Sequence, residues 1–398
     1  MKIIIDAMVL GAGYANSTGK TGVFRVVDQL IKGLSHNSNC TLSLIATNRY
    51  KQSKAYLKSN KSYKQKLSYP TLLDKIIEKG GSKFDSLHMV ERSWPSTNLE
   101  KLLDDSDVYH SPYSPIPEIA KRRNAKLFLT VHDLIPILHP NFFSKNEQPL
   151  VKVAVDSIIN EGSFFCVSES TKNDLCTVFP INPKQVFVTH LAASHSLFYQ
   201  VENNFQIQSV QKKYNIPTGP YFLSLCTFEP RKNIDHTIRC FVKLLEQQNN
   251  RDLNLVLIGS KGWNFENIFS ELSKNDRYRS RIIITGFVDD KDLASLYSGA
   301  IGFVYPSFYE GFGLPPLEAM QCGIPVITSN TSSLPEVLGG AGILVNPTDE
   351  DELCSAMLHL YNDSSFREDL SFKSINQAKK FTWESFINKT IEGYKSAI

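Results

Sequence analysis

The chain has 398 residues, more than one hydrophobic core usually supports, so two domains of roughly 150–200 residues are expected. Its composition, 42% hydrophobic and 21% charged, excludes a low-complexity chain, and a net charge of +3 excludes nucleic acid as the main partner. The seven cysteines are odd in number and scattered, with no C-x-x-C pair; this excludes a disulfide framework or zinc site, suits a reducing compartment, and makes small buried hydrophobes their expected role.

The apolar run at Met1–Asp6 is too short for a signal peptide, and nowhere do ~18 apolar residues run together, so a cytoplasmic chain without a transmembrane helix is expected. Short apolar runs alternate with longer amphipathic stretches, the pattern of parallel strands joined by helices. Strands are expected over 2–6, 42–46, 108–110, 126–131, 163–167 and 186–189, with helices over 23–34 and 147–161. The pattern pauses in a polar, proline- and glycine-bearing stretch, which places a linker near 199–217 between an N-terminal domain, 1–200, and a second domain, 215–378. A second series follows, with strands over 221–225, 253–258, 281–285, 302–305, 325–328 and 342–345 and helices over 233–248, 290–299 and 316–322. The last segment, 382–398, reads as an amphipathic helix that crosses back onto the first domain. Two consecutive open α/β units predict two Rossmann-like domains facing each other across a cleft, with ligands outside the carboxyl ends of the strands.

Three segments carry chemistry. In Glu310-Gly311-Phe312-Gly313-Leu314-Pro315-Pro316-Leu317-Glu318 a strand runs through two glycines into a proline-initiated helix, where backbone amides and the helix N-terminus favour an anion. That is a diphosphate cradle with a carboxylate on either side, or a bare turn with a helix-favouring Glu318. In Glu229-Pro230-Arg231-Lys232-Asn233 adjacent cations at a strand's carboxyl end can neutralise a leaving diphosphate; alone, the pair reads equally as a solvated basic turn. In Thr130-Val131-His132-Asp133-Leu134-Ile135-Pro136 a histidine follows a strand end, with Asp133 placed to orient it or to shape a binding site.

These segments together resemble retaining glycosyltransferases of family 4, which have the GT-B fold. Val167-Ser168-Glu169-Ser170-Thr171-Lys172 and Ser329-Asn330-Thr331-Ser332-Ser333-Leu334-Pro335-Glu336-Val337 extend the resemblance over nearly the whole chain, with the motifs in the family's order. The resemblance implies that Arg231 and Lys232 bind the diphosphate of a nucleotide-sugar donor, that Glu310 sits by the transferred sugar and that Glu318 holds the ribose. It implies backbone amides from Gly313 and Leu314 on sugar or phosphate, a base pocket lined by Gly286, Phe287 and Val288, and an acceptor side at His132 and Asp133. It also implies front-face displacement, in which a leaving-group oxygen helps take the acceptor proton.

The sequence departs from the family at two points. Relatives carry an arginine five or six residues before the diphosphate lysine, where this chain has Cys226-Thr227, leaving Arg231 as the second positive charge. In Thr21-Gly22-Val23-Phe24-Arg25 the phenylalanine replaces a second glycine, so Gly22 approaches the diphosphate by a narrower path; Gly11-Ala12-Gly13 is a further candidate loop. Asp105-Ser106-Asp107 and Asp290-Lys291-Asp292 have the Asp-x-Asp form of a metal site, but they precede a strand and start a helix, so no metal is expected. The stretch from Tyr50 to Tyr69 holds six lysines, four tyrosines and no acid. It reads first as a solvated loop or helix face, and second as a peripheral contact with the inner face of a membrane or a part of the acceptor side.

The expectation is a retaining, metal-independent hexosyltransferase without a cofactor, moving mannose from GDP-mannose to a glycan or lipid-linked glycan in the manner of bacterial surface-polysaccharide enzymes. UDP- and dTDP-sugars are the alternative donors. An epimerase or sugar phosphorylase on the same architecture, and a non-catalytic sugar-nucleotide binder, are the rival readings. The sequence leaves the oligomeric state open.

Overall fold

A computed structural model describes residues 1–15, 22–60, 97–143, 149–248, 252–260 and 276–398, together with Tyr63, Leu67, Gly262 and residues 270–271. The chain divides into two units, one formed by Met1–Leu191 with Trp383–Ile398 and the other by Ala192–Thr382.

In the first unit β1 (Lys2–Asp6), β2 (Thr41–Ile45), β3 (Val108–Ser111), β4 (Lys126–Val131), β5 (Ser163–Cys166) and β6 (Val186–Val188) form a parallel sheet in the order β2-β1-β3-β4-β5-β6. β1 carries an unbroken apolar run, Ile3, Ile4 and Ile5, all fully buried, as in a parallel sheet covered on both faces. The helix Gly22–His36 turns Phe24, Val27, Leu30, Ile31 and Leu34 inward, at the spacing of one helical face. The helix Trp383–Ala397 returns to this unit, as expected. Its Tyr394 hydroxyl lies 2.6 Å from Nδ1 of the buried His110, whose Nε2 is 2.8 Å from Thr130 Oγ1 on β4. Burial pushes the His110 imidazole down to about 3, so it sits neutral in this polar staple.

In the second unit β7 (Tyr221–Leu225), β8 (Asn254–Ile258), β9 (Ile282–Gly286), β10 (Gly302–Tyr305), β11 (Val326–Ser329) and β12 (Ile343–Val345) form a parallel sheet in the order β12-β11-β10-β7-β8-β9. Each sheet has one point where the strand order reverses, between β1 and β3 in the first and between β7 and β10 in the second. Loops leaving the carboxyl ends there diverge to opposite faces and open a crevice for ligands.

Three expectations are corrected. The stretch 199–217 is not a bare linker, because it contains the helix Asn204–Lys213, capped by Asn203 and tied by Lys213 and Tyr214 to Asp292. Its apolar face is too sparse to show a period: only Ile207 and Gln211 are buried. Gly11 and Gly13 lie within the helix Met8–Ala15 and not in a loop; Gly11 is small because Ser53 of a second helix packs where a Cβ would sit. The stretch from Tyr50 is not a solvated face throughout, since its helix Tyr50–Ser59 turns Ser53 and Leu57 inward. Tyr56 donates to Asp28 Oδ1 at 2.6 Å, Tyr63 donates to the same oxygen, and Lys32 holds Asp28 Oδ2 at 2.6 Å. Lys51 and Lys58 stay exposed, whereas residues 61–62, 64–66 and 68–69 lie outside the described residues. No helix among the described residues is long and apolar enough to cross a membrane. All seven cysteines are free, five of them buried.

Candidate active site

β7 and β10 lie side by side where the second sheet reverses, and each hands the chain to a short charged turn. After β7 comes the turn Pro230–Lys232, carrying Arg231 and Lys232; after β10 comes the segment 306–313, carrying Glu310. The two turns are laced through the main chain, with Phe308 N donating to the Arg231 carbonyl at 2.9 Å and Ser307 Oγ lying 3.1 Å from the same oxygen.

That juxtaposition brings three of the expected residues together. Lys232 Nζ lies 2.6 Å from Glu310 Oε1 and 2.7 Å from the Tyr305 hydroxyl, while Arg231 Nη1 lies 2.8 Å from Glu310 Oε2. Ser307 Oγ donates to Glu310 Oε1 at 2.6 Å, and Arg231 Nη2 holds Glu229 Oε1 at 2.6 Å. Burial by itself would raise the Glu310 carboxyl, but Arg231 and Lys232 outweigh it and hold the group at about 2. Glu229 goes the other way, its carboxyl raised because burial exceeds the help it receives from Arg231. Burial works against the Arg231 charge as well, yet Glu310 and Glu229 overcome it and bind the guanidinium proton more firmly than usual. Two carboxylates face two cations, so the cluster as a whole carries no net charge. Arg231 directs Nη1 and Nη2 at Tyr309 O, Glu310 and Glu229, which makes it a clamp between the two turns. Lys232 commits two of its three donors to Glu310 and Tyr305, which leaves one for a ligand.

Two left-handed residues brace this arrangement. Asn233, at φ +59°, ends the Pro230–Lys232 turn, and its buried amide donates to Pro306 O at 3.0 Å and Pro347 O at 2.7 Å. Ser332, at φ +53°, accepts from Glu310 N at 2.9 Å, and Ser333 Oγ lies within hydrogen-bonding distance of the carbonyls of Phe312 (2.7 Å) and Glu310 (2.9 Å). The motif around Ser332 thus grips the Glu310 segment from β11's side. Asparagine tolerates the left-handed region far better than alanine does, by roughly 1–2 kcal/mol. Asn233→Gly is therefore expected to lose only the two hydrogen bonds, whereas Asn233→Ala adds the backbone strain. In urea unfolding Asn233→Ala should be the less stable of the two by about 1 kcal/mol; equal midpoints would show that the backbone geometry is not what asparagine serves.

Beyond Glu310 the chain enters the helix Leu314–Gln321 through Gly313, whose φ of +111° excludes other residues without strain. The helix begins at Leu314, so Pro315 and Pro316 lie inside its first turn and do not precede it. Two of the four unpaired N–H positions of a helix start are thereby removed, and Leu317 N is taken by the Gly313 carbonyl. The helix start offers Leu314 N–H. Glu318 is the fifth residue of the helix and is buried, with the Tyr297 hydroxyl 3.4 Å from Oε2. Gly286 closes β9 at φ +72°, after which Phe287 is exposed and Val288 buried.

The remaining expected residues belong to the first unit. His132 follows β4, and its Nε2 donates to the Pro112 carbonyl at 2.9 Å, which leaves Nδ1 as the lone-pair nitrogen. Burial lowers the imidazole to about 4 against the opposing effect of that carbonyl, so His132 is neutral at pH 7. Asp133 Oδ1 accepts from Ile135 N at 3.0 Å and starts the short helix Ile135–Leu138. Gly22 opens the helix Gly22–His36, and Phe24 packs its ring edge-on against Tyr56 at 5.3 Å; the ring turns into the core and so does not narrow a path beside Gly22. The Asp-x-Asp carboxylates have protein partners: Asp105 and Asp107 hold Lys2, and Asp292 holds Lys213 and Tyr214. Among the described residues no group of three side chains could hold a metal ion.

Glu229, Tyr305, Ser307, Ser332 and Ser333 are site residues that the sequence did not single out. Glu229 had a signal, since it opens the Pro-Arg-Lys turn; the other four are polar groups whose shared partner, the Glu310 segment, is fixed by the turns around it.

Two parallel sheets of this topology define a two-unit Rossmann-like fold of the GT-B kind, with a cation turn and a carboxylate turn at the reversal point of the second sheet. Residues 206–377 match the model of the glycosyl transferases, group 1, and the chain belongs to that family. It is 33% identical over 311 residues to O-antigen chain mannosyltransferase B of Escherichia coli, covering 78% of each chain. To the serotype-specific mannosyltransferase WbdA of the same organism it is 32% identical over 276 residues, covering 68% of this chain and 33% of that one. A crystal structure of a glycosyltransferase from Rickettsia africae ESF-5 superposes with a TM-score of 0.72 at 18% identity, covering 100% of this chain and 98% of that one.

Proposed function

We propose that this glycosyltransferase moves mannose from GDP-mannose to a hydroxyl of a glycan or lipid-linked glycan, with retention of anomeric configuration and without a metal or cofactor, as family 4 enzymes do. The observation that carries this reading is the Arg231–Lys232–Glu310 cluster at the β7/β10 reversal point. The names of the two Escherichia coli relatives support mannose and a surface polysaccharide as donor sugar and product.

In the reaction the C1–O bond to the diphosphate breaks and a bond from the acceptor oxygen to C1 forms on the same face. The acceptor proton passes to the departing diphosphate oxygen. Negative charge therefore grows on the diphosphate. The third N–H of Lys232 and the N–H of Leu314 meet it, and Arg231 supplies its charge at one remove. Fixed dipoles and charges of this kind are worth most where water is excluded. They take over the charge work a cation does elsewhere. Glu310, ionised and with its carboxylate pinned by four groups, is placed to receive hydroxyls of the transferred sugar, and the buried Glu318 those of the ribose.

The test is thermal denaturation with GDP-mannose and with UDP- and dTDP-sugars, followed by turnover in EDTA. Ligand at a hundred times its Kd stabilises the folded state by about 2.7 kcal/mol, so the right nucleotide stands out. GDP-mannose is expected to raise Tm most, with turnover unchanged in EDTA. A UDP- or dTDP-sugar raising Tm instead would reassign the donor, and turnover abolished by EDTA would overturn the metal-free mechanism.

A further inference from the structure

The turn 111–114 leaves β3 beside the reversal point of the first sheet, and it is built so that a single side chain points outward. Ser111 and Ser114 are buried; Ser111 Oγ donates to the Ser114 carbonyl at 2.5 Å, and Ser114 Oγ donates to Met8 Sδ at 3.6 Å. The Pro112 carbonyl takes the Nε2–H of His132. Between these anchors stands Tyr113, 40% exposed, its ring centroid 6.3 Å from that of His132 with the planes inclined at 48°. Tyr113 is the exposed side chain of this turn, at the carboxyl end of β3 and beside the histidine that follows β4. Burial and the Asp133 charge both raise the Tyr113 phenol, so it remains a hydrogen-bond donor at neutral pH.

The groups brought together here are a partly exposed aromatic ring, its phenol O–H, which can donate, and the His132 imidazole, whose Nδ1 can accept. A pyranose ring has the matching form, with a face of C–H groups and a rim of hydroxyls that both donate and accept. A ring-free alcohol or a lipid phosphate has no such face. We infer that Tyr113 is the stacking platform for the sugar ring of the acceptor, beside His132, and that it selects a glycan end over an acceptor without a ring. This rests on the glycosyl-transfer reading above and names the acceptor chemistry of its first-unit side.

Saturation-transfer NMR with a panel of methyl pyranosides, and with glycerol as the ring-free control, tests it on the whole chain. Wild type should bind at least one pyranoside and no glycerol, and Tyr113→Phe, which keeps the flat face and loses one hydrogen bond, should bind it no more than a few-fold more weakly. Tyr113→Ala and Tyr113→Leu should bind that pyranoside roughly 3- to 10-fold more weakly, the range expected of an aromatic contact. Leucine keeps apolar bulk without a flat face, so full binding by Tyr113→Leu overturns the inference, as does full binding by Tyr113→Ala or no pyranoside binding by the wild type. Thermal stabilisation by the nucleotide sugar should be equal in all four proteins, and a loss confined to the Tyr113 variants would assign the residue to the donor and overturn the inference too. Absence of nucleotide-sugar stabilisation in the wild type itself would instead sink the transferase reading.

Discussion

Lys232→Ala is expected to lower kcat/KM by roughly a hundred- to a thousandfold, the usual loss when one preorganised donor to a developing anion is removed. The effect should fall on kcat more than on donor affinity, because the charge Lys232 faces is greatest as the diphosphate departs. The fold should survive. Glu310 keeps Arg231, Ser307 and Tyr305, and among the described residues the ammonium hydrogen-bonds to Glu310 and Tyr305. Steady-state kinetics with a melting curve on the same preparation separate the two effects. A variant that melts like wild type and keeps a third of its turnover would remove Lys232 from the chemistry. Lys232→Arg retains the charge but not the point geometry, so it should recover only part of the loss.

Glu310→Gln is expected to impair both turnover and stability. The carboxylate balances Arg231 and Lys232 in a nearly closed site, and breaking a buried pair by neutralising one partner costs about 3–5 kcal/mol. The neutral amide leaves Glu229 alone against two cations, so anions should bind the variant more tightly while kcat falls about a hundredfold or more. The pH dependence follows from the depressed carboxyl. Its folded-state value, about 2, lies below the ordinary glutamate value, so its stabilising contribution is complete above that ordinary value and is lost as pH falls from there to about 2. Urea midpoints should therefore decline through that acid window in the wild type and more shallowly in Glu310→Gln. Turnover near neutral pH should show no limb from this group. Identical acid slopes for the two proteins would mean that Glu310 is not held by the cations.

Much of the fold was legible because parallel strands covered on both faces are predominantly apolar runs. Ile3 to Ile5, Lys126 to Val131 and Tyr221 to Leu225 announce themselves without any long-range information. The helix Asn204–Lys213 was hidden because a surface helix that buries two side chains carries no strong period. Tyr56 and Tyr63 looked like surface residues in a basic stretch, since their partner Asp28 lies on another helix. Within the site, the glycine at φ +111° and the asparagine at φ +59° mark turns that sequence chemistry recognises locally.

The local chemistry of the donor turns was thus written into the chain by itself: Glu310, Gly313, Arg231 and Lys232 are short-range features with a helix start or strand end on either side. Only the tertiary structure decided what those groups do to one another. The reversal of strand order sets β7 beside β10, so residues 78 apart in the chain close a neutral four-charge cluster in which Arg231 clamps and Lys232 keeps a donor free. Tyr113 and His132 likewise meet because β3 adjoins β4, although nothing in either motif names the other. Charge pairing and stacking depend on distance in space, which the alternation of strand and helix fixes only once the sheets have formed.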